Sequence, residues 1–161
     1  MKQTLEKIDV GTFLFSEKLE ITDPCYDRDV WCRISDVDCA PGRYTCTAYI
    51  SNEGEWGRRV ASISIQLNGE DLECDTYLGD IGVDAGLAGF FSNKPDYTDS
   101  EWSSFCGILY HPDEKAFVVD EGFFSESGYG DGCYSMYVHL ADEKRIDAAE
   151  IVFIHEEMYL R

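Results

Sequence analysis

Three aspartates lie at bends of the chain, where a carboxylate could bind a cation or accept backbone hydrogen bonds. Asp23, Asp84 and Asp131 stand in the short sequences DPCY, VDAG and GDGCY, which are rich in turn-forming residues. If the bends converge, the carboxylates and a histidine could form a metal or ligand site with hydrolytic chemistry. The alternative is that each carboxylate accepts backbone N–H groups of its own turn. The candidate corner residues are Asp23, Cys25, Tyr26, Asp84, Gly86, Gly130, Asp131, Gly132 and Tyr134.

No sequence motif decides between these two roles. The chain lacks a DxDxDG calcium loop with a glutamate at its twelfth position. The glycine-rich segment 128–132 can bring its backbone close to a ligand, but it lacks the lysine and the following helix of a phosphate-binding loop. The sequence therefore predicts no cofactor and leaves metal binding at the corners open.

The cysteines suggest a second metal site. Four of the seven are spaced by seven residues, and four thiolates can close a tetrahedral zinc site. The chain has no Cys-x-x-Cys pair, however, and such short turns are typical of zinc sites. The alternative is that they are buried thiols that pack as small apolar groups, like Cys74, Cys106 and Cys133. The evenly spaced cysteines are Cys25, Cys32, Cys39 and Cys46.

Histidines could supply a general base, but their context does not favour catalysis. His111, His139 and His155 stand in none of the short motifs of hydrolases or metalloenzymes. A cysteine nucleophile is also disfavoured, because acidic surroundings raise the pKa of a thiol. The sequence therefore favours a protein without enzymatic activity.

The elements that position these residues are mostly β-strands. Alternating apolar and polar residues predict one long hairpin from strands 43–50 and 59–67, and a second from strands 133–140 and 147–154. Three pairs of shorter strands are also predicted. The Gly-containing pairs are interpreted as hairpins. A single helix is predicted over 97–106, capped by Asp99 or Ser100. The short pairs are 11–15 with 19–22, 81–84 with 87–91, and 116–120 with 122–124.

Together these patterns predict a mainly β protein, an antiparallel β-sandwich or barrel with at most one or two short helices. The 161 residues fit a single domain over 1–161. Each half places a Gly-x-Tyr sequence at the start of its long hairpin, ending in Tyr44 and Tyr134. This echo predicts two pseudo-repeated halves, 8–67 and 81–155, that pack face to face because one half alone would expose its apolar face.

The chain is strongly acidic, with 32 acidic and 13 basic side chains and a formal net charge of −19. Direct binding to nucleic acid or to an anionic membrane needs a surplus of Lys and Arg, so neither is expected. Residues 60–143 hold 17 acidic and two basic side chains, so the charge is localised and predicts a basic protein partner. The candidate partner-binding residues are Asp71, Glu73, Asp75, Asp80, Asp96, Asp99 and Glu101.

The sequence also predicts the compartment. The N-terminal residues show no apolar stretch with a cleavage site, and no run approaches the roughly 18 apolar residues of a membrane-spanning helix. An odd number of cysteines fits a reducing environment. We therefore expect a cytoplasmic protein.

The corner segments resemble those of uncharacterised bacterial and phage proteins, which carry VDSG, DPCY and GDGxY sequences before a terminal β-hairpin. The resemblance implies a β-rich fold and a prokaryotic or phage setting, and it carries no activity. With the charge, we expect a non-enzymatic binding protein that engages a basic protein surface. It would be a phage or mobile-element inhibitor that mimics nucleic acid, or an immunity protein. The alternative is a metal- or ligand-binding β domain with carboxylate-rich corners, with hydrolytic activity left open.

Overall fold

The computed structural model describes residues 3–25, 33–92, 98–109 and 114–154, and the backbone of a strand at 159–160. Of residues 3–4, too, only the backbone is described. One α-helix, α1 (Asp99–Leu109), and a short 3-10 turn (Gly54–Trp56) accompany the strands. The strands are β1 (Gln3–Thr4), β2 (Glu6–Phe15), β3 (Lys18–Thr22), β4 (Ile34–Asp38), β5 (Gly42–Asn52), β6 (Arg58–Leu67), β7 (Thr76–Val83), β8 (Leu87–Phe91), β9 (Ala116–Val119), β10 (Gly122–Glu126), β11 (Gly132–Leu140), β12 (Ile146–Val152) and β13 (Tyr159–Leu160).

The strands form a sandwich of two antiparallel sheets, and a separate parallel pair joins β1 to β13. The larger sheet has the order β2-β5-β6-β12-β11-β7, and the smaller sheet has the order β4-β3-β8-β10-β9. The prediction of a mainly β, antiparallel fold is therefore confirmed. Of the two predicted architectures, the sandwich is the one observed, because each sheet has two edge strands.

The main core lies between the two sheets. Alternate residues of the six-stranded sheet point inward, such as Tyr44 and Cys46 of β5 and Ile63 of β6. They share one buried cluster with Phe90 and Phe123 of the five-stranded sheet. This alternation is the pattern from which both long hairpins were predicted, and β5–β6 and β11–β12 are paired as expected.

A second, smaller core lies on the outer side of the five-stranded sheet, where α1 covers it. Phe91 and Phe124 point outward there and contact Phe105 of the helix, with ring centroids 5.7 and 6.2 Å apart. The helix differs from its prediction at both ends. It begins at Asp99 and is capped by Thr98, whose hydroxyl accepts the Glu101 N–H while the Glu101 carboxylate accepts the Thr98 N–H.

Two of the predicted short hairpins are wrong. The strands β2 and β3, and likewise β7 and β8, belong to different sheets, so each short connection carries the chain from one sheet to the other. Only β9 and β10 pair as a short hairpin. The strand β4 was not predicted, because its sequence ISDVD contains two aspartates, which are depleted in strands.

The two halves of the chain contribute corresponding strands to the six-stranded sheet. Counted from one edge of this sheet to its centre, the first half supplies β2, β5 and β6. Counted from the other edge to the centre, the second half supplies β7, β11 and β12. Tyr44 and Tyr134 also play the same part: each hydroxyl donates to the carbonyl four residues earlier, of Ala40 at 2.7 Å and of Gly130 at 2.6 Å. These correspondences favour duplication of 8–67 and 81–155, which stays a prediction.

Candidate functional site

The predicted corners meet through the carboxylate of Asp23. Its Oδ1 accepts the backbone N–H of Cys25 at 2.8 Å, within its own turn. Its Oδ2 accepts the N–H groups of Asp84 and Ala85 at 2.8 and 2.6 Å, from the connection between β7 and β8. One fully buried side chain therefore ties the DPCY segment to the VDAG segment.

The third corner lies beside the other two. Gly86 accepts a hydrogen bond from the Ser127 N–H at 3.1 Å, and a Cβ added at Gly86 would lie 4.0 Å from Oδ1 of Asp131. The Tyr134 hydroxyl closes this turn by donating to the Gly130 carbonyl. The structure thus brings together all the predicted corners, except that Tyr26 lies outside the described residues.

The arrangement of these corners is that of a structural junction. Burial raises the pKa of Asp23, and the three backbone N–H groups that bind its carboxylate act in the opposite direction. Asp84 and Asp131 are exposed. Among the described residues, no group of three His, Cys, Asp or Glu side chains is arranged to hold a metal ion. Metal binding at the corners stays a prediction.

Of the evenly spaced cysteines, the structure buries Cys39 and Cys46 in the core, while Cys25 is half-buried and Cys32 lies outside the described residues. Burial raises the pKa of the Cys39 thiol to about 11 and that of the Cys46 thiol to about 12. Zinc needs deprotonated thiols, so this environment suits the alternative of packed neutral thiols. Zinc binding stays a prediction.

Of the three histidines, only His139 is in the described part of the chain; His111 and His155 are not. Its Nδ1 lies 2.6 Å from Oδ1 of Asp147, on the outer face of the six-stranded sheet.

The predicted partner-binding acids lie on two opposite sides of the sandwich. Asp99 and Glu101 are on α1, outside the five-stranded sheet, and Asp96 lies outside the described residues. The other four belong to the loop 68–75 and to β7, on the outer side of the six-stranded sheet. One partner surface therefore cannot contact both sets at once. These four are Asp71, Glu73, Asp75 and Asp80.

The outer face of the six-stranded sheet is polar. Cross-strand pairing aligns one side chain from each of the strands β5, β6, β12, β11 and β7 in a row across this face. The middle side chain of the row is a carboxylate. Glu150 is only 5% exposed there, which is unusual for an acidic side chain. The row consists of Thr47, Ser64, Glu150, Tyr137 and Tyr77.

The loop 68–75 turns this face into a groove. It joins β6 to β7, which are separated in the sheet by β12 and β11. The Gln66 side chain holds it, because its amide nitrogen donates to the Leu72 carbonyl at 3.2 Å and its oxygen accepts the Leu72 N–H at 3.0 Å. The groove measures about 680 Å³. Its charged lining comprises Lys7, Glu70, Asp71, Glu73, Asp75 and Glu150.

Replacing Gln66 by leucine is expected to release this loop while the sandwich stays folded. The change removes both hydrogen bonds to Leu72, which would lower the free energy of unfolding by about 1 kcal/mol. Amide hydrogen exchange should accelerate most at Leu72 and its neighbours, and exchange in β6 should accelerate by no more than the roughly fivefold that a loss of about 1 kcal/mol in global stability gives. Unchanged exchange across 68–75 would contradict the role of Gln66.

Sequence reasoning missed the floor of this groove. Apart from Asp147 at its start, Glu150 is the one charged residue of the predicted strand 147–154, and that isolation was a usable signal. Gln66, Tyr77 and Tyr137 gave no local signal, because their importance depends on which strands become neighbours.

The chain shows no match to a known family model, to a curated protein or to a solved structure. In the part of the chain that the structure describes, no helix is long and apolar enough to cross a membrane.

Proposed function

We propose that this chain is a non-enzymatic binding protein whose groove receives a basic segment of a protein partner. The observation that carries the proposal is the charge of the groove, where five carboxylates face one ammonium among the described lining residues. One of the five, Glu150, lies on the sheet itself and is nearly buried, while the others belong to the loop above it. The four loop carboxylates are exposed, whereas the nearly buried charge of Glu150 is less screened by water and acts more strongly on a ligand than a charge on an open surface.

The shape of the site favours a narrow ligand. A volume of about 680 Å³ lies in the usual range of ligand clefts, which is about 300–1,000 Å³. The floor offers the hydroxyl groups of Thr45, Thr47 and Ser64, and these can accept hydrogen bonds from an ammonium or a guanidinium. A projecting lysine or arginine side chain would fit this space.

The identity of the partner is also a proposal. An inhibitor that mimics nucleic acid would present its carboxylates outward, to fill the basic groove of an enzyme. Here five carboxylates line a concavity instead, and this supports an immunity-type interaction with a projecting segment of a basic toxin. The setting that we propose is the cytoplasm of a bacterial or phage-infected cell.

The test removes the negative charge of the loop. A variant with Glu70→Gln, Asp71→Asn, Glu73→Gln and Asp75→Asn is expected to bind a synthetic peptide of alternating lysine, arginine and glycine about tenfold to thirtyfold more weakly than the wild type. Each partly exposed ion pair contributes about 0.2–1 kcal/mol, and four are lost. Isothermal titration calorimetry at low salt would measure the change, and added salt should weaken wild-type binding.

The control removes four charges elsewhere. Glu17→Gln, Asp36→Asn, Asp120→Asn and Glu143→Gln change exposed side chains outside the groove by the same total charge. This variant should keep most of the affinity. Equal losses in the two variants would show that net charge alone attracts the peptide, and the groove would then not be the site.

A further inference from the structure

We propose that Tyr77, Tyr137 and Asp80 form a platform that binds an arginine side chain of the basic partner. This inference rests on the proposed function, since the same partner would occupy the groove. It adds a chemical preference, for guanidinium over ammonium, that the carboxylates of the groove do not supply.

A β-bulge builds the platform. In the pairing of β7 with β11, Tyr77 lies opposite Tyr137 and Gly79 lies opposite Met136, so Leu78 is the extra residue. Without the bulge, Tyr77 and Asp80 would point to opposite faces, because they are three positions apart in a strand. With it, both side chains share the outer face of the sheet.

Hydrogen bonds and ring packing hold these side chains in place. The Tyr77 and Tyr137 rings lie edge to face, with centroids 5.8 Å apart. The Ser135 hydroxyl donates to Oδ1 of Asp80 at 2.8 Å. A hydrogen bond to Asp80 also raises the pKa of the Tyr77 phenol. The carboxylate therefore stands beside the exposed ring before any ligand arrives.

This combination matches the chemistry of arginine. Tyr77 is 56% exposed, so one ring is available for stacking. A guanidinium is planar and weakly hydrated, and it can stack on an aromatic ring while its N–H groups bind a carboxylate side by side. An ammonium is a compact, strongly hydrated charge and gains less from the ring.

The platform continues the groove. In the row of cross-strand neighbours, Tyr137 lies directly beside Glu150, and Tyr77 lies beside Tyr137. Neighbouring strands are about 4.8 Å apart, so Tyr77 lies about 10 Å from Glu150 across the sheet. An extended peptide covers that distance in about three residues. A partner segment with one basic side chain in the groove can therefore place another on the platform.

The experiment compares two peptides of equal charge, one with arginine and glycine and the other with lysine and glycine. Wild-type protein is expected to bind the arginine peptide about fivefold to tenfold more tightly. Tyr77→Leu should lower the affinity for the arginine peptide to about that for the lysine peptide, while Tyr77→Phe, which keeps the ring, should retain most of the preference. Tyr77 is exposed, so the leucine variant should fold, and its melting temperature would verify this.

The outcomes separate this inference from the proposed function. If the wild type binds both peptides equally, or if Tyr77→Leu keeps the arginine preference, the platform is wrong and the groove still stands. If neither peptide binds at low salt, the groove fails, and the platform fails with it.

Discussion

Replacing Asp23 by alanine is expected to lower the free energy of unfolding by about 4 kcal/mol. The fully buried carboxylate accepts three backbone hydrogen bonds, from Cys25, Asp84 and Ala85. Alanine accepts none, so these amides would lose their partner in a partly buried junction, at a cost of about 1–3 kcal/mol each before water reaches them. Urea unfolding followed by tryptophan fluorescence would report the loss, because Trp102 of α1 donates to the Cys25 carbonyl at 3.1 Å.

Two further variants test the cause of this loss. Asp23→Asn keeps one acceptor oxygen, so it should cost less than alanine, about 2 kcal/mol. Asp84→Asn removes a charge from an exposed side chain of the same junction and should change stability by less than about 0.5 kcal/mol. A loss at Asp84 as large as that at Asp23 would favour a bound cation over hydrogen bonding as the role of the corner carboxylates.

The stability difference between the wild type and Asp23→Ala is expected to depend on pH. Burial raises the pKa of Asp23 in the folded state, whereas an unfolded aspartate titrates at about 3.9. Between these two values the folded protein holds a proton that the unfolded chain has released, so stability falls as the pH rises through this interval. The stability difference between wild type and Asp23→Ala should therefore be largest below the unfolded pKa and shrink as the pH rises above it.

The long hairpins were predictable because burial on one face imposes a period of two on the sequence. Sheet membership was not predictable for the short strands. The connection of β2 to β3 is as short as a hairpin turn, so the local signal is the same for a hairpin and for a crossing between sheets. Sheet membership is decided by packing against residues that are distant in the sequence. Leu19 and Ile21 of β3, for example, are fully buried in the core that both sheets share.

The candidate sites show the same limit. The acidic loop was predictable from composition, because exposed carboxylates need no specific neighbour. The role of Asp23 was predictable only in part. One of its hydrogen bonds lies within its own turn, whereas the other two come from residues 61 and 62 positions away in the sequence. The juxtaposition of Glu150 with Tyr137 and Tyr77 depends on the register of three strands, which no local pattern encodes.

Replacing Gly122 by alanine is expected to lower the free energy of unfolding by at least about 3 kcal/mol. A Cβ at this position would overlap the carbonyl oxygen of Phe90, in the neighbouring strand β8. The obstacle is backbone, so no side-chain rotation can relieve it, and the strands β8 and β10 would have to separate. These strands carry Phe91 and Phe124, which support α1, so both cores of the sandwich would loosen. Chemical denaturation monitored by circular dichroism would measure the loss.

Replacing Gly107 by alanine should instead raise the free energy of unfolding. Gly107 lies within α1, and a Cβ there meets no atom within 4 Å. Alanine should raise stability by about 0.5–1 kcal/mol, because glycine loses more backbone entropy in a helix. A Gly122→Ala protein as stable as the Gly107→Ala protein would contradict the close contact of β8 and β10.

Because α1 and the groove lie on opposite sides of the sandwich, Gly107→Ala should bind basic peptides as the wild type does. It would then offer a stabilised background in which weakened groove variants can be measured while folded.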